Sequence, residues 1–234
     1  MPHFPISRIL VPLVLGASGA AALGGYALGR DGCAGAFEAY RDVRARVLAH
    51  QSAQPSDGTL LLIGSSTLER LSPGRLKVPA TNLALAGDTI ADVLDRLPSA
   101  GALERSGGVV LLVGYNDLKA GVEPAAALEN YERLLNRLDD APLTVCVTVQ
   151  PLSPAARKAD ATLDRKIAAF NAGLRDRCSD GPRRVLADLA EQLGLADAVH
   201  ASEYYVDEIH LSPRGYQVLT AALLAAIQRS GLRA

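Results

Sequence analysis

A chain of 234 residues with 49% hydrophobic and 21% charged side chains is long enough for one generous domain and too apolar for a disordered tail. Its 24 basic residues are cancelled by 25 acidic ones, for a net charge of −1, and no basic block occurs, so no nucleic-acid partner is expected. Three cysteines are too few for a disulfide-stapled mini-domain, the absence of Trp leaves little stacking surface, and a mean hydropathy of +0.14 points to a local apolar segment.

That segment comes first. Residues 9–29 carry no charge, between Arg8 and the pair Arg30-Asp31. About 20 apolar residues cross a bilayer core as a helix. Two readings stay open: an uncleaved signal anchor in which Gly16, Gly19, Ala20, Gly24 and Gly25 tolerate close packing, or a signal peptide with a short apolar core and a cleavage site at Ala20-Ala21-Ala22. Either one places the remainder outside the cytoplasm, anchored to a membrane or secreted. Cys33 follows Arg30-Asp31-Gly32 and lacks the small apolar neighbours of a lipoprotein signal.

Residues 37–50 follow as a helix with Phe37, Tyr40, Val43, Val47 and Leu48 near one face, and residues 51–58 as a polar loop. Beyond them short apolar runs alternate with helical patterns. Strands are expected at 59–63, 80–84, 108–113, 143–149 and 184–187, and helices at 90–97, 124–138, 160–178 and 213–230. Continuous apolar strands suit a parallel sheet covered on both faces, and strand–helix alternation implies βαβ units. The expected organisation is a targeting segment over 1–30, a helical linker or first helix over 31–58, and one α/β domain over 59–234.

In an open parallel sheet, ligands bind where strands end and the chain turns into the next helix. After the first strand comes Gly64-Ser65-Ser66-Thr67, after the second Gly87-Asp88-Thr89, and after the third Gly114-Tyr115-Asn116-Asp117. Each is also ordinary turn or cap chemistry, with Asp88 or Thr89 suited to cap a helix. Near the end, Asp207-Glu208-Ile209-His210-Leu211-Ser212-Pro213 sets a carboxylate three residues before a His, at a helix opened by Ser212 and Pro213. A carboxylate so placed can hold the tautomer that a general base needs.

Taken in order, Gly-x-Ser, Gly, Gly-x-Asn-Asp and Asp-x-x-His form a pattern that resembles the SGNH (GDSL-type) hydrolases over about residues 59–230, most closely in GYNDL (114–118) and DEIHLSPRGY (207–216). The resemblance implies a three-layer α/β/α, flavodoxin-like fold with a parallel sheet of about five strands. It implies Ser66 as nucleophile, His210 as general base and Asp207 as the residue that orients it. It further implies an oxyanion hole from the Ser66 and Gly87 backbone N–H groups and the Asn116 side chain. One departure is visible: Ser65 stands where the family commonly has Asp, leaving two adjacent serines, of which register favours Ser66.

The implied activity is ester hydrolysis through an acyl-enzyme, on a small-molecule, lipid or acylated-sugar ester. Alternatives are acetyl transfer to a sugar hydroxyl and a catalytically silent, anchored binding protein of the same fold. No His-x-x-x-His pair, Cys-x-x-Cys cluster or dinucleotide fingerprint occurs, so neither metal nor cofactor is expected. Residues 150–159 and 196–206 are expected to line the substrate pocket. Cys146 lies in an apolar strand and suits a buried thiol, while Cys33 and Cys178 could pair in an oxidising compartment.

Overall fold

The computed structural model describes residues 21–53, 55–179, 183–195 and 201–231. The chain divides into two units, residues 1–40 and 41–234. Helix α1 (Ala21–Ala53) runs through the boundary and is longer than the expected 37–50. In the first unit the Phe37 and Tyr40 rings stack at 6.4 Å. Residues 9–20 of the uncharged run lie outside the described residues, and among those described no helix is long and apolar enough to cross a membrane.

The second unit is built on five parallel strands, β1 (Leu60–Gly64), β2 (Ala80–Asn82), β3 (Gly108–Leu112), β4 (Thr144–Val147) and β5 (Arg184–Ala187), in the order β2-β1-β3-β4-β5. Each expected apolar run holds a strand: β5 matches its run, β1 is shifted one residue along, and β2, β3 and β4 are shorter than expected. Every residue of β1, β3 and β4 is buried, because helices cover both faces. Period-two alternation divides the strand side chains. Leu61, Ile63, Val109, Leu111 and Cys146 enter one core, while Leu60, Leu62, Val110, Leu112, Val145 and Val147 enter the other.

Between the strands run α2 (Ser66–Glu69), α3 (Ile90–Asp95), α4 (Ala100–Arg105), α5 (Tyr115–Lys119), α6 (Pro124–Arg137), α7 (Pro154–Ala159) and α8 (Ala161–Arg177), and after β5 follow α9 (Leu189–Leu195) and α10 (Pro213–Arg229). The first core takes Ile90 and Val93 from α3, Tyr131 and Leu134 from α6, and Phe170 and Leu174 from α8. Tyr131 and Phe170 meet edge to face at 5.9 Å, worth about 0.5–1.5 kcal/mol beyond the area they bury. The second core takes Leu68 from α2 and Leu219, Leu223 and Ile227 from α10. The layers are therefore helix, sheet, helix, as the family resemblance implies.

The cysteines depart from expectation. Cys146 is not a free thiol, and Cys178 is not joined to Cys33: the two are bonded to each other, with Cα atoms 6.1 Å apart. The reason is strand alternation. Cys146 points to the same face of β4 that α8 covers, and Cys178 sits at the C-terminal end of that helix. Both are fully buried.

Candidate active site

The C-terminal ends of β1 and β3 shape one edge of the sheet. At the end of β1, a Cβ on Gly64 would lie 2.0 Å from the Leu112 carbonyl oxygen, so only glycine lets the two strand ends close together. The Ser65 N–H donates to that same carbonyl at 3.2 Å, and the chain turns at once into α2. This turn buries Ser65 and leaves Ser66 partly exposed at the start of the helix. The Ser66 Oγ lies 3.0 Å from His210 Nε2, and its hydroxyl donates to that nitrogen. Of the two adjacent serines, it is Ser66 whose hydroxyl meets the His210 ring.

His210 is held from behind by Asp207. The His210 Nδ1–H donates to Asp207 Oδ2 at 2.7 Å, while the backbone N–H groups of His210 and Ile209 donate to Oδ1 at 2.7 and 3.0 Å. Partial burial alone would raise the Asp207 carboxyl. The two backbone donors and the imidazole more than offset it and hold the group down at about 2. A carboxylate that is ionised and accepts at both oxygens fixes the ring tautomer with Nε2 free to accept a proton. The loop itself is pinned at both sides. Val206 N–H donates to the His210 carbonyl, Ser212 caps α10 through Gly215 N–H, and Tyr216 donates its hydroxyl to the Thr67 carbonyl at 3.0 Å. Burial, with Arg70 opposing it, pushes that Tyr216 phenol up to about 12, so it remains a donor.

The other two strand-end motifs converge on each other. Gly87 has φ of 85°, in the left-handed region that favours glycine. The Asn116 Nδ2 donates one hydrogen to the Asp88 carbonyl at 2.8 Å, leaving its second for a ligand. Gly114, with φ of 123°, starts the turn that aims Asn116, and a Cβ there would lie 2.6 Å from the Phe170 ring. Helix α3 is capped by Thr89, which forms a reciprocal box with Asp92, and not by Asp88. Asp117 is buried and accepts the Ile90 N–H at 3.1 Å, tying α5 to α3; burial raises its carboxyl, against the pull of that donor.

Several participants carry no sequence signal. Gln150 is buried at the end of β4 and uses both hydrogens of Nε2, one on Thr67 Oγ1 at 2.7 Å and one on the Ile209 carbonyl at 3.1 Å. It thus bridges the residue after Ser66 to the residue before His210. Arg41 and Arg96 both pair with the Asp88 carboxylate. Burial raises the Asp88 carboxyl from its ordinary value, with Arg96 and then Arg41 pulling the other way. These contacts join residues 8 to 83 positions apart, a range at which local patterns are silent.

Beside Glu208 lies a cleft of about 420 Å³ lined by Leu118, Lys119, Leu152, Ala156, Leu163 and Lys166. A second, of about 450 Å³, adjoins Asp207 and is lined by Pro154, Ala155, Ser202, Tyr205 and Val206. Residues of both expected lining segments border these clefts, neither of which is lined by Ser66 or His210, and residues 196–200 lie outside the described residues. Among the described residues there is no cluster of three or more side chains suited to hold a metal ion.

A model of the GDSL-like lipase/acylhydrolase family matches residues 63–218, which include Ser66, Gly87, Asn116, Asp207 and His210. Among solved structures, a Streptococcus pneumonia protein named for platelet activating factor superposes with a TM-score of 0.69 at 20% identity, covering 84% of this chain and 97% of that one. A lipase/acylhydrolase from Enterococcus faecalis gives 0.63 at 21% identity, covering 75% and 97%. A GDSL-like lipase from Bacteroides thetaiotaomicron gives 0.64 at 17% identity, covering 80% and 98%. No curated protein matches the sequence. The structural likenesses establish the fold, and the family model, spanning most of the sequence, establishes that this chain belongs to the GDSL-like lipase/acylhydrolase family of ester hydrolases.

Proposed function

We propose that the chain is a serine esterase that cleaves carboxylic esters through an acyl-enzyme on Ser66, outside the cytoplasm. The observation that carries this reading is the unbroken series Ser66 Oγ, His210 imidazole, Asp207 carboxylate, at 3.0 and 2.7 Å. A serine hydroxyl is a weak nucleophile at its own pKa and needs a positioned base. As Ser66 Oγ attacks the acyl carbon, its proton passes to His210 Nε2, and the imidazolium is stabilised by Asp207. The carbonyl oxygen becomes an oxyanion, met by the Ser66 and Gly87 N–H groups and the second hydrogen of Asn116 Nδ2. His210 then gives its proton to the departing alkoxide, which leaves as the alcohol. In the second half water loses a proton to the same nitrogen, attacks the acyl-serine, and releases the acid with Ser66 restored.

Two features support an extracytoplasmic site of action. The uncharged run at 9–29 suits export, as an anchor or as a cleaved signal. The buried Cys146–Cys178 bond suits an oxidising compartment, where disulfides persist. Cell fractionation of a tagged full-length chain tests this; recovery solely in the cytosolic fraction with both thiols reduced would refute it.

Hydrolysis of p-nitrophenyl acetate and covalent labelling by a fluorophosphonate test the chemistry. Ser66→Ala and His210→Ala are expected to lower turnover by about 10⁴-fold or more, and Ser66→Ala to abolish labelling. Ser65→Ala is expected to keep most of both. Full activity in Ser66→Ala refutes the assignment.

A further inference from the structure

Asp88 is a fully buried carboxylate one residue after Gly87, and the chemical steps above make no use of its charge. Two guanidiniums converge on it. Arg96 stands 2.5 Å from Oδ2, and Arg41, from α1, stands 3.1 Å from Oδ1. Neither arginine stops there. Arg96 also donates to the Leu83 carbonyl at 2.6 Å and to the Gly64 carbonyl at 3.2 Å. Arg41 also donates to the Ala86 carbonyl. The backbone of Asp88 completes the arrangement, because its own carbonyl receives the Asn116 amide. One ion cluster thus grips the end of β1 just before the Ser65-Ser66 turn, both chain neighbours of Gly87, and the side chain of Asn116.

We propose that Arg96 and Arg41, acting through Asp88, are positioning residues that set the oxyanion hole by locking the 83–88 segment, so that the Gly87 N–H and the Asn116 amide face Ser66 Oγ. This inference rests on the ester-hydrolase reading. A buried ion pair is a weak source of net stability, because desolvation offsets most of its attraction. What it does impose is geometry: a planar arginine fork holds several acceptors in fixed directions, whereas the three donors of a lysine ammonium rotate freely. Donors that stabilise a developing oxyanion act only when fixed in advance, and a misplacement of about 1 Å is enough to lose roughly 10²-fold. The cluster supplies that fixation to two of the three donors. It also makes α1, an element that carries none of the reacting groups, part of the site.

The test compares Arg41→Ala, Arg96→Lys and Asp88→Asn with the wild type in kcat and KM for p-nitrophenyl acetate. Affinity for an alkyl boronic acid, which forms a tetrahedral anion on the serine, is measured alongside. Arg41→Ala is expected to lower kcat about tenfold with KM within twofold, and Arg96→Lys about 10²-fold, a share of what one oxyanion donor supplies. Boronate affinity is expected to fall by the same factors. In an Asn116→Ala background the Arg41→Ala effect is expected to shrink, because part of it runs through the lost amide. Should Arg96→Lys or Asp88→Asn fail to fold, Arg41→Ala carries the test, since that side chain is partly exposed at 24%. A lowered melting temperature with kcat and boronate affinity unchanged overturns the positioning role, as does full additivity with Asn116→Ala. If the wild type neither hydrolyses esters nor labels at Ser66, the hydrolase reading falls, and this inference with it. If the wild type does both and Arg41→Ala matches it, only the positioning role falls.

Discussion

Breaking the Cys146–Cys178 bond reopens a loop of 32 residues in the unfolded chain. On the loop-entropy account a cross-link of that span removes roughly 12 cal/mol/K from the unfolded ensemble, about 4 kcal/mol at 25 °C. For a domain of 150–250 residues, each kcal/mol moves the melting temperature by about 2–4 °C. Full reduction is therefore expected to lower it by roughly 7–15 °C. The double variant Cys146→Ala/Cys178→Ala is expected to fall somewhat further, because both sulfurs are fully buried and their removal leaves small cavities. Circular-dichroism melts of oxidised, reduced and double-variant protein measure the effect. Alkylation of the denatured, unreduced chain followed by peptide mapping assigns the pair. Cys33→Ala is the control and is expected to leave the melting temperature in place. A Cys33–Cys178 peptide, or alkylated Cys146 in the unreduced chain, would refute the pairing. A verified bond whose loss shifts melting by less than 2 °C or so would refute the loop-entropy reasoning.

Gln150→Leu keeps volume but strips both bonds of Nε2, leaving the Ile209 carbonyl without that donor at a cost of about 1–3 kcal/mol. Because the amide bridges the neighbours of Ser66 and His210, kcat is expected to fall about tenfold at nearly constant KM. An unchanged kcat in a folded variant would reduce the bridge to packing. Asp207 gives a prediction in pH. Its carboxyl is held at about 2 in the folded chain, against about 4 for an unfolded aspartate. The stabilisation is therefore present above pH 4 and lost as pH falls towards 2. The melting-temperature gap between wild type and Asp207→Asn is expected to narrow across that window, and a constant gap would contradict it.

The five strands were legible because a strand buried on both faces must be apolar throughout, and the residues after β1, β3 and the Asp207–His210 loop stood out because that fold puts chemistry at strand ends. What local pattern could not convey was pairing across the chain. Asp88 looked like a helix cap, since Asp is a common one, but its burial demanded cations, and these came from Arg41 and Arg96. Gln150 belonged to a segment expected to line the pocket, and nothing in its neighbourhood reveals that its amide reaches 83 positions back to Thr67. Cys146 was correctly placed in a buried strand, yet its bond depends on which face of β4 it occupies and where α8 ends. Short helices such as α4, α7 and α9 escaped because six or seven residues hold too few turns for a periodic signal, whereas α3, as short, was marked by the cap residues Asp88-Thr89 before it.

Ser66 and His210 are 144 residues apart, while Asp207 is only three from His210. The proposed nucleophile and the groups that would meet the oxyanion all precede β4, and the proposed base follows every strand of the sheet. In the unfolded chain Ser66 is an ordinary alcohol. On the proposed mechanism, reactivity arises only when α10 has docked against β4 and β5 and the His210 loop has met Ser66. On that mechanism the unfolded chain is chemically silent, and the onset of serine labelling would time the meeting of these two distant segments.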